Sequence, residues 1–163
     1  DPMAARRGRI VEYPAGAVIA LRVVNELRLV EALALRHAAP NLTPDILAKA
    51  QKANLQGDSA QNVHEWEEAN RCFHRLILEP CQMPRLMRSI DDLQAASARF
   101  ILRAWRTNWE ARTDHDHRLI LDALRKGQVD LACTTLSRHV GWIGKRSRTL
   151  KNQIGSGTSE FFR

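Results

Sequence analysis

The sequence predicts an all-α protein, an antiparallel bundle of about six helices. Three observations carry this. No segment reads as a strand. Apolar residues recur three and four apart through six successive stretches, the period of a helix with one buried face. The breaks between those stretches are short, and short connections force neighbouring helices to run antiparallel.

The elements follow in order. Val18 to Arg36 carries Leu21, Val24, Leu27, Val30, Leu33 and Leu35 before the breaker Pro40. Thr43-Pro44-Asp45 opens a second helix, with Thr43 as N-cap and Pro44 at the first helical position. Gly57-Asp58-Ser59 closes it. A third helix, from about Ala60 to Leu78, presents Val63, Trp66, Asn70, Phe73, His74 and Ile77 on one face. Glu79-Pro80 ends it, because the residue before proline is pushed out of helical geometry. The fourth starts near Pro84 and extends towards Trp109, with Leu86, Ile90, Leu93, Ser97, Phe100 and Ala104 on one stripe. The fifth, about Thr113 to Lys126, stops at Gly127. The sixth, about Val129 to Arg148, turns Val129, Ala132, Leu136, His139 and Ile143 inward.

A chain of 163 residues is long enough for one domain with a real core. No apolar run approaches a membrane span, and no signal-peptide pattern opens the chain. Cys72, Cys81 and Cys133 are an odd number without CxxC spacing, which suits a reducing cytoplasm. The net charge is +7, with Arg6, Arg7 and Arg9 near one end and Lys145, Arg146, Arg148 and Lys151 near the other. Such clusters suit either phosphate contact or a solvated basic surface. Aromatic residues are not interleaved with them, which argues against a single-strand binding platform. Asp1-Pro2-Met3 and the stretch from Gly155 resemble translated cloning sites. The expected organisation is an N-terminal arm or linker with cloning residues over 1–17, one bundle domain over 18–152, and a vector-derived or disordered tail over 153–163.

Polar residues on the apolar stripes are the functional candidates. Asn70 and His74 are one turn apart and point the same way. His117 precedes the turn at Gly127 by about as many residues as His139 follows it. At a rise of about 1.5 Å per residue, the two histidines reach similar heights on adjacent antiparallel helices. A metal in a bundle core requires that arrangement. Core histidines hydrogen-bonded to neighbours remain the alternative. His115 falls on nearly the opposite face from His117, and His37 and His64 read as surface residues. His64-Glu65-Trp66-Glu67-Glu68 is not an HExxH zinc motif, since Glu68 stands at its fifth position.

Three stretches together carry a family resemblance. They are Asn25-Glu26-Leu27-Arg28-Leu29-Val30-Glu31-Ala32-Leu33-Ala34-Leu35, then Asn70-Arg71-Cys72-Phe73-His74-Arg75-Leu76-Ile77, and Asp116-His117 through Gly127, Asp130 and Ala132 to Ser137-Arg138-His139-Val140. Their ordered combination resembles the C-terminal effector domain of the GntR family of bacterial transcription regulators, in its fatty-acid-regulator-like (FCD) subfamily. The resemblance spans about Ala20 to Arg146. It implies a helical bundle with a central ligand and metal cavity. It also implies a divalent metal, zinc or nickel, held by Asn70, His74, His117 and His139, and a small carboxylate effector bound there. A cytoplasmic homodimer that reaches operator DNA only through an N-terminal winged helix is implied as well.

Two features depart from the family. Asn70 stands where Asp is common; its neutral oxygen implies weaker metal binding and a dication left uncompensated, which would favour an anionic ligand. The stretch before Val18 is also too short for a winged helix. Arg28, Ser97, Arg99 and Arg103 are further effector-binding candidates, although Arg28 could equally pair with Glu31 and Ser97 could be a satisfied core serine. Two other function classes stay open. One is a metal-dependent enzyme using Glu67, one turn before Asn70, as a base, without any paired-carboxylate or nucleophile motif to support it. The other is a basic nucleic-acid-binding module.

Overall fold

The computed structural model describes the backbone of residues 15–105 and 114–141, and the side chains of 18–102 and 114–141. The basic runs at both ends, Ile143 and the proposed tail lie outside the described residues, as does the Arg103 side chain. Within them the chain is helical throughout: α1 (Ala15–Ala38), α2 (Pro44–Asp58), α3 (Val63–Leu78), α4 (Pro84–Trp105), α5 (His115–Arg125) and a helix over 129–141, α6. Two short 3-10 turns, Ala39–Asn41 and Glu79–Cys81, follow α1 and α3. No described helix is long and apolar enough to cross a membrane.

Local chemistry sets the boundaries. Thr43 caps α2 by accepting from the Ile46 amide at 3.3 Å, with Pro44 in the first turn. Helix α3 begins later than its apolar pattern suggests, because Asn62 is its cap. The Asn62 side chain accepts from the Glu65 amide at 3.0 Å, and Glu65 reaches back to accept from the Gln61 amide at 2.8 Å. That reciprocal pair resembles a capping box and satisfies amides the helix itself leaves open. Asp114 caps α5 by accepting from the His117 amide at 3.2 Å. The α5 end is a Schellman closure: Gly127 has φ of 68°, and the Gln128 amide donates to the Ala123 carbonyl at 2.8 Å.

Helix α1 packs on α4, while α2 packs on both α3 and α5. The largest fully buried side chains include Phe73, Leu35, Ile77, Leu78, Ile90, Ile120, Leu121 and Leu136, drawn from α1, α3, α4, α5 and α6. A second cluster, Ala60, Val63, Trp66 and Ile101, closes the bundle at the start of α3. The inward stripe of α4 differs from the expected one. Met87, Ile90, Gln94, Ser97, Ala98 and Ile101 are buried, whereas Leu86, Leu93 and Phe100 are only half-buried. On this face Gln94 turns inward and donates to a buried acid on α1, Glu31.

Candidate metal centre

Helices α3, α5 and α6 each bring one histidine to the centre of the bundle. His74, His117 and His139 are all buried. The Nε2 atom of His117 stands 3.2 Å from Nε2 of His74 and 3.1 Å from Nε2 of His139. One nitrogen from each ring falls within 4.8 Å of the others. Phe73 stacks on the His117 ring, with centroids 3.8 Å apart and planes inclined by 14°, and so fixes its tilt.

The opposite nitrogens face acceptors. His74 Nδ1–H donates to Glu31 Oε2 at 2.7 Å, and Gln94 Nε2 donates to the other Glu31 oxygen at 2.7 Å. His117 Nδ1–H donates to Asn54 Oδ1 at 3.1 Å. His139 Nδ1 lies 3.6 Å from Asp116 Oδ2 and 3.8 Å from Asp114 Oδ1. A proton on Nδ1 leaves a bare lone pair on Nε2. At His74 and His117 two such lone pairs would face each other across 3.2 Å unless a proton or a metal ion lies between them.

The donor set fits a divalent metal. Imidazoles sharing one ion at about 2.0–2.1 Å place their nitrogens roughly 3.0–3.4 Å apart, the spacing His117 keeps to His74 and to His139. Outer acceptors on Nδ1 are the usual supports of metal-binding histidines. Asn70 carries a further candidate donor. Its Oδ1 is buried without a hydrogen-bond partner among the described residues. Its side chain borders the cavity next to His74 and also the crevice next to His117. A buried acceptor left without a donor costs about 1–3 kcal/mol, so a cation there relieves a real penalty.

The electrostatics follow from burial and neighbours. Burial pushes the His117 imidazolium far down, and the charges of His139 and His74 add to that, so this ring is neutral. Burial is the largest single influence on His74 and opposes its charge, but Glu31, Asp114 and Glu67 together outweigh it and the net shift is upward. His139 beside it, and then Arg138, hold the Asp116 carboxyl down to about 2 against the opposing effect of burial. Burial raises Glu67 to about 7, with Arg71, His74 and the Asn70 side chain pulling the other way.

Charge compensation is where the expectation changes. Asn70 is neutral, but the site is not short of negative charge. Glu31, 1% exposed, and Glu67, 8% exposed, both line the cavity beside His74. The bundle moves its anionic partners one layer out rather than omitting them.

The other candidates fall in different places. Ser97 is buried and lines the same cavity as Asn70 and His74. Arg28 lines neither of the two cavities beside the histidines. It sits with Arg36 and Arg138 in a surface groove of about 550 Å³ between α1 and α6. Arg99 is exposed on α4, a consequence of that helix's rotation. Arg103 belongs to α4, but its side chain lies outside the described residues. His37, His64 and His115 are exposed, as their helix faces imply. The central cavity is small, about 30 Å³ with a further crevice of about 10 Å³. It has room for a head group or about two waters.

Glu31, Gln94 and Asn54 are absent from the candidates drawn from sequence, and the spacing that marks each shows only once the buried stripe of its helix is known. Glu31 follows Val24 and Leu27 on the buried stripe of α1; Asn54 follows Leu47 and Ala50 on α2; Gln94 follows Met87 and Ile90 on α4. A polar residue at an apolar position asks for a partner whether or not it is histidine.

Comparisons with known proteins agree with this architecture. A family model described as FCD domain matches residues 24–141. The fold is similar to the crystal structure of a transcriptional regulator, a GntR family member, from Pseudomonas syringae pv. tomato str. DC3000. That pair has a TM-score of 0.73 and 24% identity, covering 85% of this chain and 60% of that one. It is also similar to E. coli McbR/YncC, with a TM-score of 0.67 and 20% identity over 81% of this chain and 67% of that one. No curated protein sequence matches the chain. The chain thus spans about 60% of the length of the Pseudomonas regulator it resembles.

Proposed function

The chain belongs to the FCD domain family, and from that premise we propose that it is the ligand-sensing and dimerisation domain of a GntR-type transcription regulator, formed by residues 18–152. In this reading a divalent metal, zinc or nickel, is held by His74, His117, His139 and Asn70, and a small carboxylate is the effector. The observation that carries it is the convergence of three buried Nε2 atoms whose Nδ1 partners are Glu31, Asn54 and the Asp114–Asp116 pair. When bound, the metal offers open coordination positions to carboxylate oxygens.

The chain's own residues do the rest. Glu31 holds the His74 ring and its tautomer, with Gln94 fixing the carboxylate. Asn54 does the same for His117. Ser97 is the described effector candidate that reaches the cavity; Arg28 and Arg99 lie on outer faces and would serve an effector only beyond it. Sensing follows from where the ligands sit: α3, α5 and α6 each contribute one histidine, so a ligand that tightens the cluster favours one relative placement of those helices. Operator contact belongs to another domain of the regulator. Dimerisation is supported by Leu29 and Leu33, exposed one turn apart on α1. The compartment is the cytoplasm, where such a regulator meets its operator.

One observation favours a second reading, a metal-dependent enzyme. Glu67 is a buried carboxyl held near neutrality beside the histidines, where it could take or give a proton. Elemental analysis of the purified chain separates the first reading from a purely structural bundle. We expect about one metal equivalent in the wild type and almost none in His117→Ala. A metal-free wild type, even after zinc or nickel reconstitution, would reduce the histidines to core residues. Turnover lost in Glu67→Ala with metal retained would favour the enzyme.

A further inference from the structure

Glu67 remains unexplained once the metal centre is assembled. Its Oε2 is buried without a partner among the described residues, and its side chain borders the cavity of about 30 Å³ shared with Glu31, Asn70, His74 and Ser97. The orphaned oxygen of Asn70 is accounted for by the metal; that of Glu67 is not. A buried carboxylate oxygen calls for a donor, and no described protein group supplies one.

Charge narrows the choice of donor. A dication held by neutral imidazoles and a neutral amide contributes two positive charges. The cavity beside it already holds two buried acidic side chains, Glu31 and Glu67. A plain carboxylate ligand would bring a third acid to that wall and no donor for Glu67 Oε2. The basic residue on this cavity, Arg71, is exposed, where water screens it. A ligand carrying an ammonium next to its carboxylate adds no net charge and gives Glu67 Oε2 the donor it lacks. Size agrees, since the cavity takes a head group and little more.

We infer that the cavity at Glu67 takes a protonated amine, so that the effector is a small amino-bearing carboxylate rather than a plain or hydroxylated acid. This rests on the effector-domain reading above and narrows its ligand class.

The test is calorimetry on the full chain reconstituted with zinc, its metal content measured in the same sample. Two matched trios serve as probes: alanine, lactate and propionate; aspartate, malate and succinate. In whichever trio binds, the amine member should bind about 10- to 100-fold more tightly, the scale of a charged, buried hydrogen bond. Glu67→Gln should keep its metal and lose that margin. Equal binding across a trio, or tightest binding by the hydroxyl or unsubstituted acid, would overturn the amine pocket and leave the carboxylate sensor standing. A margin that survives in Glu67→Gln would also overturn it. If Glu67→Gln fails to fold, the wild-type rank order decides alone. If no probe binds a metal-loaded chain, the inference and the carboxylate reading fall together. If zinc does not load, the metal reading falls, and the same rank order on the metal-free chain decides the inference.

Discussion

At Glu31 a carboxylate is buried in the apolar stripe of α1, with both oxygens engaged, one by His74 and one by Gln94. A charge in that position is tolerated because both of its oxygens are hydrogen-bonded. Its contact sets which nitrogen of His74 looks inward. Glu31→Gln keeps the shape and removes the charge, so metal affinity should fall about 10- to 100-fold, the usual scale for such outer partners. Competition with a chelator measures this. Unchanged affinity would make the contact structural only. Glu67 presents the opposite case, a buried carboxyl without full compensation. Its pKa in the folded chain is raised to about 7 from an ordinary 4.5. The folded state therefore binds its proton more tightly than the unfolded state does. Below about pH 4.5 the residue costs nothing in ionisation. Between 4.5 and 7 the cost grows, and above 7 it is complete, on the order of 3 kcal/mol. In the metal-stripped protein, Glu67→Gln should match wild type in acid and exceed it in stability above pH 7. Denaturant melts at pH 4.5 and 8 measure the crossover, and parallel curves would refute the assignment.

At the scale of elements, caps and closures decide where helices end, and the site inherits their precision. Asp114 is both the cap of α5 and a neighbour of two histidine rings, 3.6 Å from His117 Nδ1 and 3.8 Å from His139 Nδ1. The start of α5 and the orientation of the cluster are thus one structural decision. Its own amide donates to Asp58 at 2.9 Å, tying that start to the end of α2. The far end of α5 depends on Gly127, whose positive φ suits glycine. An added Cβ there would meet nothing within 4 Å, so the cost of Gly127→Ala is backbone strain alone. We expect a loss of about 1 kcal/mol, or roughly 2–4 °C in Tm, with metal content unchanged. Calorimetric melting measures it, and an unchanged Tm would mean the closure relaxes without strain.

At the scale of the whole molecule, the bundle was largely legible in advance. Helix class, order and approximate ends are local properties, set by period, caps, Pro40, Pro44, Pro80, Pro84 and Gly127. The convergence of His74, His117 and His139 was also legible, because equal distances from one turn place two residues at one height. The second layer was not. Glu31 in Leu-Val-Glu-Ala-Leu reads as an ordinary solvent-facing acid until the rotation of α1 is known. Arg28 and Arg99 read as inward anion anchors only under rotations the helices do not adopt.

The sequence by itself determined that this chain is a helical bundle with histidines aimed at its centre, since periodicity and turn chemistry act within a few residues. Only the tertiary structure decided how each helix is turned about its axis. It thereby decided that Glu31, Gln94 and Asn54 support the histidines, that Glu67 faces the cavity beside His74, and that Arg28 faces an outer groove. The physical reason is that helix rotation minimises the burial cost of all polar groups at once. A carboxylate on α1 finds its partners on α3 and α4, and no local pattern in any one helix encodes that sum.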